Sequence, residues 1–304
     1  MMPRTVFMGS PEFALPALRS LATRYPVVGV VTQPDRPAGR GRQLSPPPVK
    51  LLAEELELPV IQPRRLSEPG AYDQLQQWAP ELIIVTAFGQ ILRPAVLELP
   101  KYGCINVHGS LLPLWRGAAP IQAAILNGDN LTGITIMRMD SGIDTGPILS
   151  QKSLPINRDD NALSLAAKLA ELGAELLDET LPRYLSGALT PTAQDENLAT
   201  YAPMIKKEDG LLNFSFPAIV LDRKVRAYNP WPGAFTYWNN QMLKIHRAHP
   251  IVGINGVAGK HTIYQDLPAI FTGEGLLVLE ELQLSGRTSQ SGKIFLLGVR
   301  NWES

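Results

Sequence analysis

Asn106, His108 and Ser110 occupy alternate positions in "CINVHGSLLPLWRGAAP", residues 104–120. On a strand, alternate residues share a face, so an amide, an imidazole and a hydroxyl would project together. An amide and an imidazole can both donate to an oxygen that becomes negative in a transition state, which is the central need of acyl transfer. The stretch lacks a carboxylate to orient and charge the imidazole. "MRMDSGIDTGPIL" offers Asp140 and Asp144 in a tight, Gly-flanked turn; Asp suits turns in its own right, and Asp140 is expected to do no more than that. No G-x-S-x-G elbow supplies a nucleophile, and Cys104 reads as a small buried hydrophobe. No His/Cys/Asp spacing suits a metal. The residues point to direct transfer between two bound substrates, with no covalent enzyme intermediate.

The elements that must position these residues alternate from residue 4 to about 187. "RTVFMGS", "PVVGVVTQ", "LPVIQP", "ELIIVTAFG" and "GCINVHG" read as strands, the apolar ones rich in valine and isoleucine as buried parallel strands are. "PEFALPALRSLA", "PVKLLAEELEL", "EPGAYDQLQQWAP" and "APIQAAILNGD" read as helices between them. "TGITIMRMD" and "GPILSQKSLPI" pair around "SGIDTG", and a long amphipathic helix ends at Gly187. This alternation predicts an α/β fold with a doubly wound, mostly parallel, Rossmann-like sheet. Ligands of such sheets bind at the carboxyl ends of the strands, where "GSPEF", "AFGQIL", "NVHGSLLP" and "DSGIDTG" lie. "MGSPEFA" has one glycine where a dinucleotide fingerprint needs three, which argues against NAD. A polar, aperiodic stretch follows, then several short strands in about 95 residues, including "GAFTYWNNQMLKIHRAHPI", "AIFTGEGLLVLEELQL" and "KIFLLG", with "PAIVLDRKVRAYNP" as a helix before them. They predict a small OB-like β-barrel. The expected division is 1–188, a linker over 189–206, and 207–304.

Composition adds exclusions. The 304 residues carry 28 Lys/Arg against 28 Asp/Glu, so no global basic charge marks a nucleic-acid binder. From Thr200 onward the balance is 11 Lys/Arg to 8 Asp/Glu, a weak basic bias. A single cysteine excludes an intramolecular disulfide. No apolar run reaches the roughly 18 residues that span a membrane, and "MMPRTVFMGSPEF" has no signal-peptide core. A cytoplasmic protein is expected, with nothing demanding more than a monomer.

"NVHGSLLPLWRGAAPIQAAILNG" followed by "TGITIMRMDSGIDTGPIL" closely resembles the folate-dependent formyltransferase family, and the match of two separated blocks at that spacing is specific. The resemblance implies that Asn106, His108 and Asp144 are catalytic and that 10-formyltetrahydrofolate is the formyl donor. It implies further that Ser110, Leu111, Leu112 and Pro113 contact the folate, and that Phe88, Gln90 and Ile91 of "AFGQIL" line its pterin pocket.

The acceptor needs its own argument. "PDRPAGRGRQLSPPPVK", residues 34–50, is long for a β–α connection. It carries Arg36, Arg40, Arg42 and Lys50 against Asp35 alone, and guanidinium groups suit phosphates and stacked bases. It also resembles, nearly residue for residue, the loop of family members that act on methionyl-tRNA. That implies initiator methionyl-tRNA as acceptor and partner, with Phe13 near the methionyl side chain and Lys206 and Lys207 of "MIKKEDG" on the tRNA. Arg223, Lys224 and Arg226 are further candidates for phosphate. "QLSGRTSQSGKIFLLG" lacks the more strongly basic character common at that point in the family. The alternative acceptor is a nucleotide-linked amino sugar, against which the Arg-rich loop argues; a non-catalytic RNA-binding protein would need no Asn106, His108 and Asp144.

Overall fold

The computed structural model describes residues 2–38, 43–299 and 301–303. Its backbone falls into two compact units: 1–120, 131–155 and 166–202 form the first, and 121–130, 156–165 and 203–304 the second.

The first unit is built on apolar runs that have no polar face to show to water, so they pair as interior strands. β1 (Thr5–Gly9) is buried throughout and leads into α1 (Leu15–Arg24), whose Leu18 and Leu21 return to the sheet. β2 (Val27–Val31) precedes a short hairpin of β3 (Arg36–Ala38) and β4 (Gln43–Ser45). The long connection 34–50 is therefore in part an antiparallel ladder rather than a plain loop. Arg40 and Arg42 lie outside the described residues. α2 (Pro48–Glu55) and α3 (Pro69–Trp78) each begin with the proline that suits a first helical turn, with β5 (Val60–Ile61) between them. β6 (Leu82–Thr86), the short α4 (Pro94–Leu97) and β7 (Cys104–His108) follow.

After the two-residue β8 (Arg116–Gly117) and α5 (Pro120–Asn127), the chain doubles back as β9 (Leu131–Arg138) and β10 (Ile148–Pro155), then α6 (Ala162–Leu185). The sheet runs β10-β9-β7-β6-β1-β2-β5. Five strands are parallel, and β9 and β10 close one edge antiparallel. Val6, Met8, Val31, Ile83, Val85 and Trp78 form the core on one side. The fold class read from strand–helix alternation is the one observed. β11 (Tyr201–Ala202) pairs in parallel with β8.

In the second unit, α7 (Ala218–Ala227) precedes β12 (Ala234–Trp238) and β13 (Gln241–Ile251). Asn239 and Asn240 turn this pair with φ of 47° and 59°, the left-handed turn that Asn tolerates. β14 (His261–Tyr264), β15 (Leu267–Phe271), β16 (Leu276–Leu284) and β17 (Gln290–Ser291) complete an antiparallel sheet in the order β12-β13-β16-β15-β14, with β17 on β16. "KIFLLG" is not the strand its apolar run suggests: it lies in α8 (Gly292–Gly298). Ser291 caps it by accepting from the Ile294 amide, and Phe295 alone of its large residues is wholly buried, among Trp238, Trp302 and Leu279. A short apolar run does not tell strand from helix; the serine cap and the partner core do. No helix among the described residues is long and apolar enough to cross a membrane.

Candidate active site

β7 has a ladder on both sides: Asn106 lies opposite Val85 of β6 and Met137 of β9, and His108 opposite Thr135. The pleat is thus fixed, and Asn106 and His108 project from one face at 8% and 5% exposure. β9 leads to the turn that carries both aspartates. Asp140 Oδ1 accepts from the Gly142 amide at 3.0 Å and from Thr145 Oγ1 at 2.7 Å, so Asp140 closes the turn as expected.

Asp144 reaches back to β7. Its Oδ1 accepts from Asn106 Nδ2 at 3.4 Å, its Oδ2 accepts from the Gly117 amide at 2.8 Å, and His108 Nδ1 lies 3.6 Å from Oδ2. The residue sits at φ 54°, a conformation that costs a non-glycine residue roughly 1 kcal/mol or more and persists only where its surroundings over-determine it. His108 Nε2 is 3.1 Å from the Trp115 carbonyl oxygen. A carbonyl only accepts, so Nε2 carries a hydrogen and Nδ1 is the nitrogen that faces Asp144. Asn106 Nδ2 has two hydrogens, one of which remains for a substrate oxygen.

The loop after β7 is held from inside. Ser110 Oγ donates to the Leu114 carbonyl, and the Ser110 carbonyl accepts from Thr135 Oγ1 at 2.7 Å. Thr135 Oγ1 in turn accepts from the Leu112 amide and Gln151 Nε2. Ser110 and Leu112 are buried, while Leu111 and Pro113 are half-buried and present the loop's outer side. After β6, Phe88 is buried in the core, the Gln90 amide bridges the Leu66 amide and the Pro63 carbonyl, and Ile91 is 77% exposed. Gln90 and Ile91 border a cavity of about 700 Å³ together with Arg64, Arg65, Tyr72 and Arg93. An open apolar cavity ringed by guanidinium groups suits a flat aromatic molecule with carboxylates. Sequence reasoning passed over these arginines, whose signal was the pair in "QPRRL" beyond a short strand.

A second hollow, of about 430 Å³, is lined by Ser10, Gln33, Arg36, Pro47, Phe88 and Gly89. Arg36 is exposed and donates to Gln33 Oε1. Lys50 is taken by Asp35 at 2.9 Å; a hydrogen bond from Gln62 and the Lys50 ammonium hold that carboxyl below its ordinary range. Phe13 is half-buried in the single turn after β1. Cys104 is fully packed, and burial pushes its thiol up to about 12, so no thiolate forms there. In the second unit, Lys206 and Lys207 are exposed. Arg226 is engaged by Asp222 at 3.0 Å and the Asp160 carbonyl, and Arg223 by the Asn127 carbonyl. Arg223 and Arg226 therefore have structural partners, which the sequence did not disclose. Among the described residues no cluster of three or more His, Cys, Asp or Glu could hold a metal ion.

An imidazole, an amide donor and a carboxylate gathered at the carboxyl edge of a doubly wound sheet make a candidate group-transfer site. Residues 6–181 match the formyl transferase family and 204–300 the formyl transferase C-terminal domain. The chain belongs to the formyl transferases. It is 46% identical over 299 residues to the methionyl-tRNA formyltransferase of Geobacter sulfurreducens, covering 98% of this chain and 94% of that one. It is 48% identical over 299 residues to that of Myxococcus xanthus, covering 97% and 95%. Among solved structures, WlaRD, a sugar 3N-formyl transferase, superposes with a TM-score of 0.68 at 18% identity, covering 95% of this chain and 100% of that chain. The methionyl-tRNA formyltransferase from Clostridium thermocellum does so with a TM-score of 0.57 at 18% identity, covering 82% and 93%. Both structures share the fold.

Proposed function

We propose that this chain transfers the formyl group of 10-formyltetrahydrofolate to the free amino group of initiator methionyl-tRNA, acting as a cytoplasmic monomer. The chemistry rests on one observation: Asp144, far along the chain from Asn106 and His108, meets them at 3.4 and 3.6 Å. The acceptor follows the near full-length identity to methionyl-tRNA formyltransferases. Fold likeness to a sugar formyltransferase at 18% identity does not reach the acceptor.

In this reading the amine attacks the formyl carbon, and Asn106 Nδ2 donates to the oxygen as it becomes negative, an interaction whose loss typically costs about 10²–10³ in rate. His108 Nδ1 takes the amine proton and becomes an imidazolium beside Asp144 Oδ2, while its Nε2–H on the Trp115 carbonyl keeps the ring in place. The proton passes to the folate nitrogen as its bond to the formyl carbon breaks, which balances the reaction. Ser110, Leu111, Leu112 and Pro113 border the donor through backbone and apolar surface, with Phe88, Gln90 and Ile91 on its pterin side. Phe13, Arg36, Arg40 and Arg42 are assigned to the acceptor, within a catalytic domain over 1–188. Lys206 in the 189–206 linker and Lys207 in the 207–304 domain add phosphate contacts.

The test is formyl transfer to methionyl-tRNA beside a UDP-amino sugar and glycinamide ribonucleotide. Formyl-methionyl-tRNA is expected, with a weaker KM for tRNA when Arg40 and Arg42 become alanine. Transfer to the sugar alone would overturn the acceptor.

A further inference from the structure

Arg116 is the largest wholly buried side chain among the described residues, at 0% exposure. A buried guanidinium must find acceptors. It finds them in the polar, aperiodic stretch that follows Gly187. Its Nε and Nη2 donate to Gln194 Oε1 at 3.1 and 2.8 Å, and Nη1 and Nη2 reach the Glu196 carboxylate at 2.7 and 2.8 Å. The segment runs on along the loop after β7: the Thr200 carbonyl accepts from the Arg116 amide, and the Ala202 carbonyl from the Ala118 amide.

Gln194 has a second side. Its Nε2 donates to the Asp144 carbonyl at 2.8 Å and to the Gly146 carbonyl at 2.7 Å. Two donors and one oxygen make four bonds, which leaves this amide fully satisfied. A closed circuit results. Arg116 holds Gln194, Gln194 holds the backbone carbonyls of Asp144 and of Gly146 two residues on, and Gly117, next to Arg116, donates its amide to Asp144 Oδ2. Gly117 is required there: its φ is 115°, and a Cβ would lie 2.7 Å from the Ala202 carbonyl. The circuit explains how Asp144 stays at φ 54° with its carboxylate aimed at Asn106 and His108.

We infer that Gln194 is a positioning residue for formyl transfer, holding the Asp144 turn in its productive backbone conformation through two carbonyl contacts while Arg116 anchors its oxygen. The inference rests on the catalytic reading of Asn106, His108 and Asp144. It gives Gln194, alone of its segment, direct hold of the turn that carries Asp144. A misplacement of about 1 Å costs on the order of 10² in rate, so the signature is a fall in kcat without one in substrate affinity.

The decisive variant is Gln194→Glu. It keeps an oxygen for Arg116 and replaces the NH2 group by an oxygen facing two carbonyls. Gln194→Asn, one methylene shorter and neutral, serves if Gln194→Glu does not fold. Both are assayed for formyl transfer to methionyl-tRNA beside Asp144→Asn and Glu196→Gln, with thermal unfolding of each. Expected is a kcat lowered at least about tenfold, with KM for folate and tRNA within about twofold of wild type, and Glu196→Gln near normal in kcat because Glu196 does not touch the Asp144 turn. A near-normal kcat in the folded Gln194 variant, with Asp144→Asn impaired, overturns the inference alone. So does a loss carried by KM, or an equal loss in Glu196→Gln, since both would mark a packing role. A near-normal Asp144→Asn overturns the catalytic reading and the inference with it.

Discussion

Asp144→Asn isolates the carboxylate's charge. Asparagine is nearly isosteric, tolerates the left-handed φ of 54° better than most residues, and keeps an oxygen for the Gly117 amide. What it removes is the negative charge 3.6 Å from His108 Nδ1. At an effective dielectric of about 20, two unit charges at that distance attract by about 4.6 kcal/mol. The imidazolium charge is only partly developed in the transition state, so a little over half, about 2.7 kcal/mol, is lost from transition-state stabilisation. At about 1.36 kcal/mol per decade that is about 10² in turnover. The assay is the initial rate of formyl transfer to methionyl-tRNA at saturating donor, with unfolding midpoints to show that the variant is intact. A folded Asp144→Asn protein turning over within about threefold of wild type would refute both the charge argument and the proton route through His108.

Two further outcomes concern stability. Arg116 holds the Glu196 carboxyl below its ordinary value of 4.5 by hydrogen bonding and charge. A depressed folded-state value means that this contribution is present above pH 4.5 and fades as pH falls through the lower folded value. The thermal midpoints of wild type and Glu196→Gln should differ at neutral pH and converge in acid; a gap that does not change with pH would refute the pairing. Gly29→Ala in β2 places a Cβ 2.4 Å from the Trp78 ring. Overpacking of that kind costs about 1–3 kcal/mol, so the denaturant midpoint should fall with kinetic constants unchanged, and an unaltered midpoint would show that the Trp78 ring yields freely.

Periodicity made the strands, most helices and the hairpins legible because burial dictates residue type directly: "ELIIVTAFG" has no polar face and can only be interior, and Asn239-Asn240 can only be a turn. α8 was not legible, since its apolar run suits either element and only the Trp238 and Trp302 core selects the helix. The catalytic candidates were legible for a different reason. Asn106 and His108 share a strand face by the arithmetic of period two, and Asp144 was one of two aspartates in its turn, singled out by the resemblance to the formyltransferase family.

The sequence alone determined the local facts, namely the alternation of elements, the composition of the strand ends and the two motif blocks, because each follows from residues within a few positions of one another. Tertiary structure decided which groups meet. It spent Lys50 on Asp35 and Arg226 on Asp222, turned the Ser110 hydroxyl to its own loop, and assigned the imidazole nitrogens through the Trp115 carbonyl. It joined Gln194 to Asp144 across fifty positions of chain. Hydrogen bonds act over about 3 Å in space, whatever the separation along the chain, and no spacing rule reports them.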